Sequence, residues 1–382
     1  MKTAIVHDWL TGMRGGEKVL EAFFELFPDA DLFTLVYVEG SVSKLIADRK
    51  IQTSFLDRIP LVKRYYRYAL PIMPMAIETL DLTGYDLVIS SSHCVAKGVV
   101  ARPGAVHISY THSPMRYIWD LWPRYFPPKG LKGALAQPLL TWLRTWDVTA
   151  SARVDHFVAN SNFVAERIER YYRRKATVIE PPVDVRALSI SDPPGDTYLM
   201  VSALVESKGL EIAVRAFNEL GRPLRIVGQG PLLKELRHMA GPNIELTGRL
   251  SDKGLKAAYR DARAIVHTAV EDFGIVALEA AASGRPVIAL GVGGSLETVV
   301  PTNPREGRTR RRASGEPAPA PTGVFFYEAE AASLVRAVRE FEALPAGSFP
   351  REALVAHAEP FDREEFKRRF RALVDEALQG RC

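Results

Sequence analysis

Glu271 and Glu279 are two carboxylates whose spacing suits the binding of a polar ligand. The apolar run 264–267 predicts a buried parallel strand, and residues 275–283 predict the helix that follows it. We therefore expect Glu271 in the loop at the carboxyl end of the strand, and Glu279 about one turn inside the helix. Carboxylates placed in this way can bind neighbouring hydroxyl groups of a ligand bidentately.

Two glycine-rich loops are candidates for binding an anion. Residues 291–294 follow a predicted strand and open another helix, where unpaired backbone N–H groups can face a phosphate. Gly15 and Gly16 follow the first predicted strand, and without a Cβ they let a ligand come close to the backbone. This first loop lacks the full spacing of a dinucleotide-binding loop, so a plain tight turn is the alternative interpretation.

His112 and Lys208 add an imidazole and a cation to the candidate set. His112 follows the predicted strand 106–111, at the edge where open α/β sheets bind their ligands. Its ring can contact a sugar hydroxyl or a phosphate oxygen, or alternatively a loop backbone. Lys208 lies near a predicted helix start, where a cation is locally unfavourable. Together with the loops and carboxylates it favours a sugar nucleotide whose diphosphate leaves, and no D-x-D or histidine-rich cluster is placed to hold a metal.

The elements that must position these residues form two series of alternating strands and helices. This order predicts an α/β protein with two Rossmann-like, doubly wound parallel sheets. Prolines indicate a linker between about 182 and 196, which separates an N-terminal domain (1–185) from a C-terminal domain (196–360). Loops at the carboxyl ends of the two sheets are expected to face each other across a cleft.

The positive charge of the chain is concentrated in one segment. The net charge is +5, and residues 301–322 hold five arginines against two glutamates, which leaves a surplus of only two charges elsewhere. We interpret this segment as a solvated, mobile surface insertion, and we expect no nucleic-acid partner. Two cysteines, and no apolar run of about 20 residues, predict a cytoplasmic protein.

Two stretches, 57–80 and 119–146, mix aromatic with basic residues. Such mixtures suit the headgroup layer of a membrane, where rings and cations both find partners. Irregular helices packed on the domain explain the same pattern equally well. Peripheral contact with a membrane surface is therefore one of two open interpretations.

The glutamate spacing, followed by Gly-Gly-Ser-Leu-Glu-Thr at 293–298, resembles the signature of retaining glycosyltransferases of family 4, which have the GT-B fold. Further matches are found across nearly the whole chain: 15–18, 112–119, 160–161, 182–184, Lys208 and 228–231. The variants at 116–119 and 271–274 resemble bacterial mannosyltransferases that assemble O-antigen or exopolysaccharide repeats.

This resemblance implies a site and an activity. It implies a nucleotide-sugar-binding C-terminal domain, an acceptor-side N-terminal domain, and a last helix at 361–382 that packs back on the N-terminal domain. Catalytic contacts are assigned to Glu271 and His112. Donor contacts are assigned to Gly15, Gly16, Lys208, Arg249, Phe273, Gly274, Ile275, Glu279, Gly293, Gly294 and Ser295. Ala203 departs from the arginine that many members carry, which places more of the phosphate neutralisation on Lys208 or Arg249.

The expected function is retaining transfer of a hexose, with mannose from GDP-mannose favoured, to a lipid-linked or growing polysaccharide acceptor. No metal or other cofactor is expected, and the protein is placed in the cytoplasm or at the inner face of the cytoplasmic membrane. One alternative is a sugar-nucleotide epimerase on the same fold. Another, suggested by Ala203, is an inert nucleotide-binding partner of a polysaccharide assembly complex.

Overall fold

The structure is a computed structural model that describes residues 1–126, 130–191, 193–305 and 319–380. The chain divides into two compact units. Unit 1 comprises Met1–Pro182 and Glu364–Cys382, and unit 2 comprises Val183–Arg363. Most of the insertion predicted at 301–322, and Cys382, lie outside the described residues.

Unit 1 contains a seven-stranded parallel sheet of order β3-β2-β1-β4-β5-β6-β7. Its strands are β1 (Thr3–His7), β2 (Asp31–Thr34), β3 (Ile51–Thr53), β4 (Leu87–Ser92), β5 (Val106–Thr111), β6 (His156–Ala159) and β7 (Ala176–Val178). Its first helices are α1 (Gly15–Leu26), α2 (Lys44–Ala47), α3 (Val62–Tyr65), α4 (Met73–Glu78), α5 (Trp122–Tyr125), α6 (Leu131–Ser151) and α7 (Asn162–Tyr172). The chain starts in the middle of the sheet and winds outward on both sides, as in Rossmann folds.

Unit 2 repeats this winding in a six-stranded parallel sheet of order β10-β9-β8-β11-β12-β13. Its strands are β8 (Tyr198–Val201), β9 (Leu224–Val227), β10 (Ile244–Gly248), β11 (Ile265–His267), β12 (Val287–Leu290) and β13 (Gly323–Phe326). Its helices are α8 (Leu210–Leu220), α9 (Leu233–Met239), α10 (Asp252–Asp261), α11 (Ile275–Ala282), α12 (Ser295–Thr298), α13 (Ala331–Ala343) and α14 (Arg351–Ala358). Short runs of apolar residues form these strands because both faces of each sheet are covered by helices.

The last helix, α15 (Arg363–Gln379), belongs to unit 1. Its apolar stripe packs on the same face of the sheet as α1, and the ring centroids of Phe370 and Phe23 are 4.6 Å apart. Arg371 also donates a hydrogen bond to the carbonyl oxygen of Leu26 at the end of α1. Unit 1 is therefore built from two stretches of chain that are separated by the whole of unit 2.

The two parallel sheets confirm the predicted doubly wound fold class. Several elements also agree closely with the sequence, since β5 has the predicted bounds and β11 and α11 match theirs to within one residue at each end. The helix expected after the glycines at 291–294 is only the four-residue α12. The strand β3 and the continuous helix α6 were not predicted as elements.

Candidate active site

Lys208 and Glu271 form an ion pair at the carboxyl ends of adjacent strands in unit 2. Lys208 ends the turn after β8, and Glu271 lies four residues beyond the end of β11. Because β8 and β11 are neighbours in the sheet, the Lys208 Nζ and the Glu271 Oε1 are only 2.5 Å apart, with each side chain 25% exposed. The structure thus joins a cation and a carboxylate that the sequence assigned to phosphate and sugar respectively.

The turn that carries Lys208 is held in place by contacts between its backbone and the loop after β11. The hydroxyl of Thr268 donates a hydrogen bond of 2.7 Å to the carbonyl oxygen of Lys208. Gly209 has a φ of 63°, and a Cβ at this position would lie 3.0 Å from the carbonyl oxygen of Thr268. Glycine therefore permits both the left-handed backbone and the close approach that positions Lys208.

The second glycine loop lies directly against the segment that carries Glu271. The backbone of Glu271 pairs with Gly293, and the N–H of Gly294 donates to the carbonyl oxygen of Glu271 over 2.9 Å. A Cβ on Gly294 would lie 2.3 Å from the carbonyl oxygen of Phe273, which no side chain can tolerate. The next residue, Ser295, is buried, and its hydroxyl has no hydrogen-bond partner within the described part of the chain. The structure therefore places this predicted phosphate loop beside Glu271.

Glu279 is oriented by a tyrosine that the sequence did not single out. Tyr259 of α10 is buried and donates a hydrogen bond of 2.6 Å from its hydroxyl to the Glu279 Oε2. Burial and the neighbouring carboxylate raise the pKa of Tyr259 well above its usual value, so the hydroxyl keeps its proton and remains a donor. The only signal in the sequence is a hydroxyl on the apolar face of α10, which needs a partner once it is buried.

Three predicted donor contacts lie at the start of α11. Phe273 is buried, and its ring packs on that of Phe361 at a centroid distance of 5.8 Å. Ile275 packs on the same apolar cluster. Gly274 has a φ of 106° and precedes the first residue of the helix. The side chains of Phe273 and Ile275 thus serve the core of unit 2, and a role in donor binding stays a prediction for this backbone.

Arg249 is exposed and follows β10, the edge strand of the sheet. Two strand spacings, about 10 Å, separate β10 from β8, whose turn carries Lys208. A role for Arg249 in donor binding therefore stays a prediction.

In unit 1, His112 belongs to a hydrogen-bonded chain at the carboxyl ends of β1, β4 and β5. The hydroxyl of Ser91 lies 2.8 Å from the His112 Nε2 and 3.0 Å from the His7 Nδ1. A Cβ on Gly16 would lie 3.4 Å from His7 and 3.6 Å from His112, so α1 begins directly against both rings. Gly15 is exposed at the same helix start. Burial, with the nearby His93 and His7, lowers the pKa of His112 well below its usual value.

Glu17 and Asp8 place two buried carboxylates beside this chain. The Glu17 Oε1 lies 3.7 Å from the His7 Nε2. Burial raises the pKa of Glu17, but the hydrogen bond and charge of His7 outweigh this and leave the pKa below its usual value. Asp8 is fully buried, and its Oδ2 lies 3.1 Å from the Nδ1 of His93.

The segment that begins at His112 is anchored by its own side chains. Asn160 donates a hydrogen bond of 3.0 Å to the carbonyl oxygen of His112. Met115 and Ile118 are fully buried, and Arg167 of α7 bonds the hydroxyl of Ser113 over 2.8 Å. Much of the resemblance in this segment therefore reflects residues that hold the loop in place.

Sequence reasoning did not single out several polar residues near these sites. They are His7, Asp8, Ser91, His93 and His267, which lie at or just beyond strand ends, and Tyr259 on α10. His267 ends β11, and its Nε2 is buried without a hydrogen-bond partner within the described residues. Burial lowers the pKa of His267, while the charge of Glu271 raises it and that of Lys208 lowers it. Most of these residues share one feature in the sequence: a polar side chain at the end of an apolar strand that is buried on both faces of the sheet. This feature could have identified them as candidates for the site.

Neither a metal cluster nor a membrane-spanning helix is found in the described ranges. No three histidine, cysteine or acidic side chains are grouped in a way that could hold a metal ion. No helix of the described chain combines the length and the apolar composition needed to cross a membrane.

Two family models match the chain. One, described as "Glycosyltransferase Family 4", matches residues 15–187. The other, described as "Glycosyl transferases group 1", matches residues 195–313. The matched ranges cover most of the chain and contain His112, Lys208, Glu271 and Glu279.

Curated relatives match part of the chain. An O-antigen chain mannosyltransferase C of Escherichia coli is 33% identical over 160 residues, which are 37% of this chain and 43% of the relative. A GDP-mannose-dependent alpha-(1-6)-phosphatidylinositol monomannoside mannosyltransferase of Mycobacterium tuberculosis is 36% identical over 121 residues, or 27% of this chain and 31% of the relative. The chain thus spans less than half the length of these relatives.

Solved structures match the fold over nearly the whole chain. The crystal structure of Anabaena Alr3699/HepE in complex with UDP-glucose covers 98% of this chain and 100% of its own, with a TM-score of 0.70 and 17% identity. At this identity the likeness concerns the fold, two Rossmann-like parallel sheets in one chain.

Proposed function

We propose that this chain, which belongs to the glycosyltransferases of family 4, transfers a hexose from a nucleotide sugar to a saccharide acceptor. The observation that carries the proposal is the ion pair between Lys208 and Glu271, whose backbone lies against the loop 291–294. A cation, backbone amides and a carboxylate at one strand edge are the groups that a diphosphate and its sugar require.

Within unit 2 the roles divide by charge. Lys208 and the amides of Gly293 and Ser295 neutralise the diphosphate as it leaves, while the amide of Gly294 holds the loop against Glu271. Glu271 contacts the transferred sugar near the reaction centre. Glu279, held by the hydroxyl of Tyr259, binds the ribose hydroxyls. In unit 1, His112 contacts the sugar, and the amides at the start of α1 approach a phosphate or the acceptor.

Mannose from GDP-mannose is the proposed donor, and a lipid-linked or growing polysaccharide is the proposed acceptor. Support comes from the O-antigen mannosyltransferase and the GDP-mannose-dependent mannosyltransferase among the partial relatives. Transfer is proposed to retain the anomeric configuration by same-face attack, with the leaving phosphate assisting. No metal is required in this proposal, because Lys208 and the loop amides meet the charge of the leaving group.

Peripheral contact with a membrane is proposed for the stretch around α3. Leu61, Tyr65 and Tyr68 are exposed there, as are the neighbouring cations Arg64 and Arg67. Rings and cations exposed together suit the headgroup layer, where a lipid-linked acceptor presents its saccharide.

The test is incubation of the purified protein with a panel of GDP-, UDP- and ADP-sugars, with and without a lipid extract and with and without EDTA. We expect GDP release from GDP-mannose, faster with the extract, and an α-linked product by NMR. An isomerised nucleotide sugar would identify an epimerase instead. Donor binding without turnover would identify an inert partner, and loss of activity in EDTA would refute metal independence.

A further inference from the structure

His93 lies in the loop after β4, next to the hydrogen-bonded chain of unit 1. Its ring centroid is 6.1 Å from that of His7 and 6.3 Å from that of His112. The side chain is 32% exposed, so part of the ring is open to a ligand.

Asp8 fixes the position of His93. The Asp8 carboxylate accepts hydrogen bonds of 2.7–2.9 Å from the backbone N–H groups of residues 93–96. The same carboxylate lies 3.1 Å from the His93 Nδ1, and its negative charge favours the ring proton on that nitrogen. The ring of Trp9 meets His93 edge-on at a centroid distance of 4.5 Å. The loop and the plane of the ring are therefore fixed, and the tautomer with the proton on Nδ1 is favoured.

The other ring nitrogen is left as a hydrogen-bond acceptor. Within the described chain, the polar contact of the His93 ring is made by Nδ1, and no hydrogen bond involves Nε2. Burial lowers the pKa of His93; Asp8 and Glu17 raise it in part, while His7 and Arg14 lower it further. His112 faces the same ring edge-on. The ring is thus neutral near pH 7, with a lone pair on Nε2.

This arrangement selects the chemistry of its ligand. A lone pair on Nε2 repels a phosphate oxygen and needs a group that donates a hydrogen. The surface beside it consists of ring edges and the start of α1 at Gly16, where a side chain would crowd His7 and His112. A sugar hydroxyl fits this site for two reasons. It donates a hydrogen to Nε2, and it is uncharged, which suits a surface made largely of ring edges.

We propose that His93 is an acceptor-binding residue whose Nε2 accepts a hydrogen bond from a hydroxyl of the acceptor saccharide. The proposal rests on the proposed function and adds to it a contact on the acceptor. Asp8 is the positioning residue, because it acts on the saccharide only through the ring of His93.

The test compares His93→Phe, which keeps a ring but has no acceptor atom, with His93→Gln, which keeps an acceptor oxygen. Both are assayed with GDP-mannose and n-octyl α-mannoside as the acceptor probe. We expect His93→Phe to raise the KM for the probe roughly tenfold, the size of one lost hydrogen bond, and to leave the KM for GDP-mannose within about twofold. His93→Gln should stay within about threefold of the wild type.

The pH profile supplies a second readout. The wild-type KM for the probe should rise as the pH falls below the ordinary range of histidine, because the ring becomes protonated and stops accepting, whereas that of His93→Gln should stay flat. His238→Phe, at an exposed histidine of α9, is the control and should change nothing. A wild-type KM for the probe in His93→Phe would overturn the assignment while leaving the transferase function intact. Absence of any glycoside from the wild-type protein would overturn both.

Discussion

At the scale of single residues, the ion pair between Lys208 and Glu271 bears most directly on the proposed reaction. In the structure each of these side chains is the charged partner of the other. Both side chains are partly buried, so solvent only partly screens their attraction. A diphosphate that approaches Lys208 therefore competes with the carboxylate of Glu271. We expect donor binding to release Glu271 from the lysine and leave it available for the sugar.

Glu271→Gln should separate binding from transfer. The amide keeps the shape of the side chain but removes the charge that competes for Lys208, so the affinity for GDP should rise a few-fold. Transfer of the sugar should fall by about 100-fold or more, the range seen when one electrostatic contact to a reacting group is lost. Calorimetric titration with GDP and a transfer assay measure the two effects.

Glu235→Gln, at an exposed glutamate in the first turn of α9, is the matched control for the loss of one carboxylate. It should alter neither quantity. Near-wild-type transfer by Glu271→Gln would remove Glu271 from the reaction centre.

His107 predicts how stability depends on pH. It is buried on β5, its Nε2 lies 2.9 Å from the hydroxyl of Ser90, and burial lowers its pKa to about 4. The folded state therefore binds the proton less readily than the unfolded state, so stability present above pH 6.5 is lost as the pH falls toward 4. Between pH 6.5 and pH 5 this should cost about 2 kcal/mol in the free energy of unfolding.

Urea unfolding at several pH values measures how the free energy of unfolding changes with pH. His107→Gln should be less stable at neutral pH but flatter between pH 5 and pH 6.5. An unchanged slope would show that other groups dominate the acid response.

At the scale of elements, the sequence predicted best where a pattern is local. The strands of unit 2 are short apolar runs, and their order gave the parallel sheet and the placement of Glu271 at a strand end. The strand β3 was not predicted, because its three residues are all only partly buried and form no apolar run. The hydrogen bonds between Asp8 and the loop at His93 were not predicted either, because 85 residues separate Asp8 from His93 in the chain. Only the adjacency of β1 and β4 brings them together.

The two stretches that mix aromatic and basic residues differ in how far their rings are buried. Around α6, Trp119 donates a hydrogen bond to Asp147, and Trp146 donates one to Glu78. The rings at these positions therefore help hold α6 in unit 1, as the packing interpretation predicts. Around α3 the rings of Tyr65 and Tyr68 remain exposed.

The exposed stretch predicts binding to anionic membranes. Reversing two cations in Arg64→Glu/Arg67→Glu should weaken binding to phosphatidylglycerol vesicles by at least about 30-fold, since each basic residue near the surface contributes about 1 kcal/mol. Vesicle flotation measures the bound fraction, with neutral phosphatidylcholine vesicles for comparison.

Arg336→Glu/Arg339→Glu on α13 reverses the same number of exposed charges and should leave flotation unchanged. Equal losses in the two double variants would indicate a general charge effect. Equal binding of the wild type to both kinds of vesicle would contradict a role for the cations.

At the scale of the whole molecule, the division of the chain into two units was predictable only in part. The prolines after residue 180 coincide with the boundary at Pro182, because they interrupt regular structure. The return of α15 to unit 1 was inferred from resemblance, since the stripe of Phe366 and Phe370 indicates burial without indicating a partner.

Phe370→Ala tests the contribution of α15. The side chain is fully buried against Phe23 and Phe366, so its removal should lower the stability of unit 1 by about 3–5 kcal/mol. Hydrogen exchange should show the loss in the strands of unit 1, with protection in β8 to β13 unchanged. Leu373→Ala, at a partly buried position on the same helix, should cost less. A uniform loss of protection in both units would contradict this division.

The discontinuity of unit 1 also has a consequence during synthesis. Phe23 and its neighbours on α1 leave the ribosome early, whereas the helix that covers them follows only after residues 183–363 have been made. At ordinary translation rates of 5–20 residues per second this interval is about 10–40 s. For that time, while unit 2 is being made, the nascent chain exposes an apolar face, which makes the unfinished unit 1 a natural substrate for chaperones.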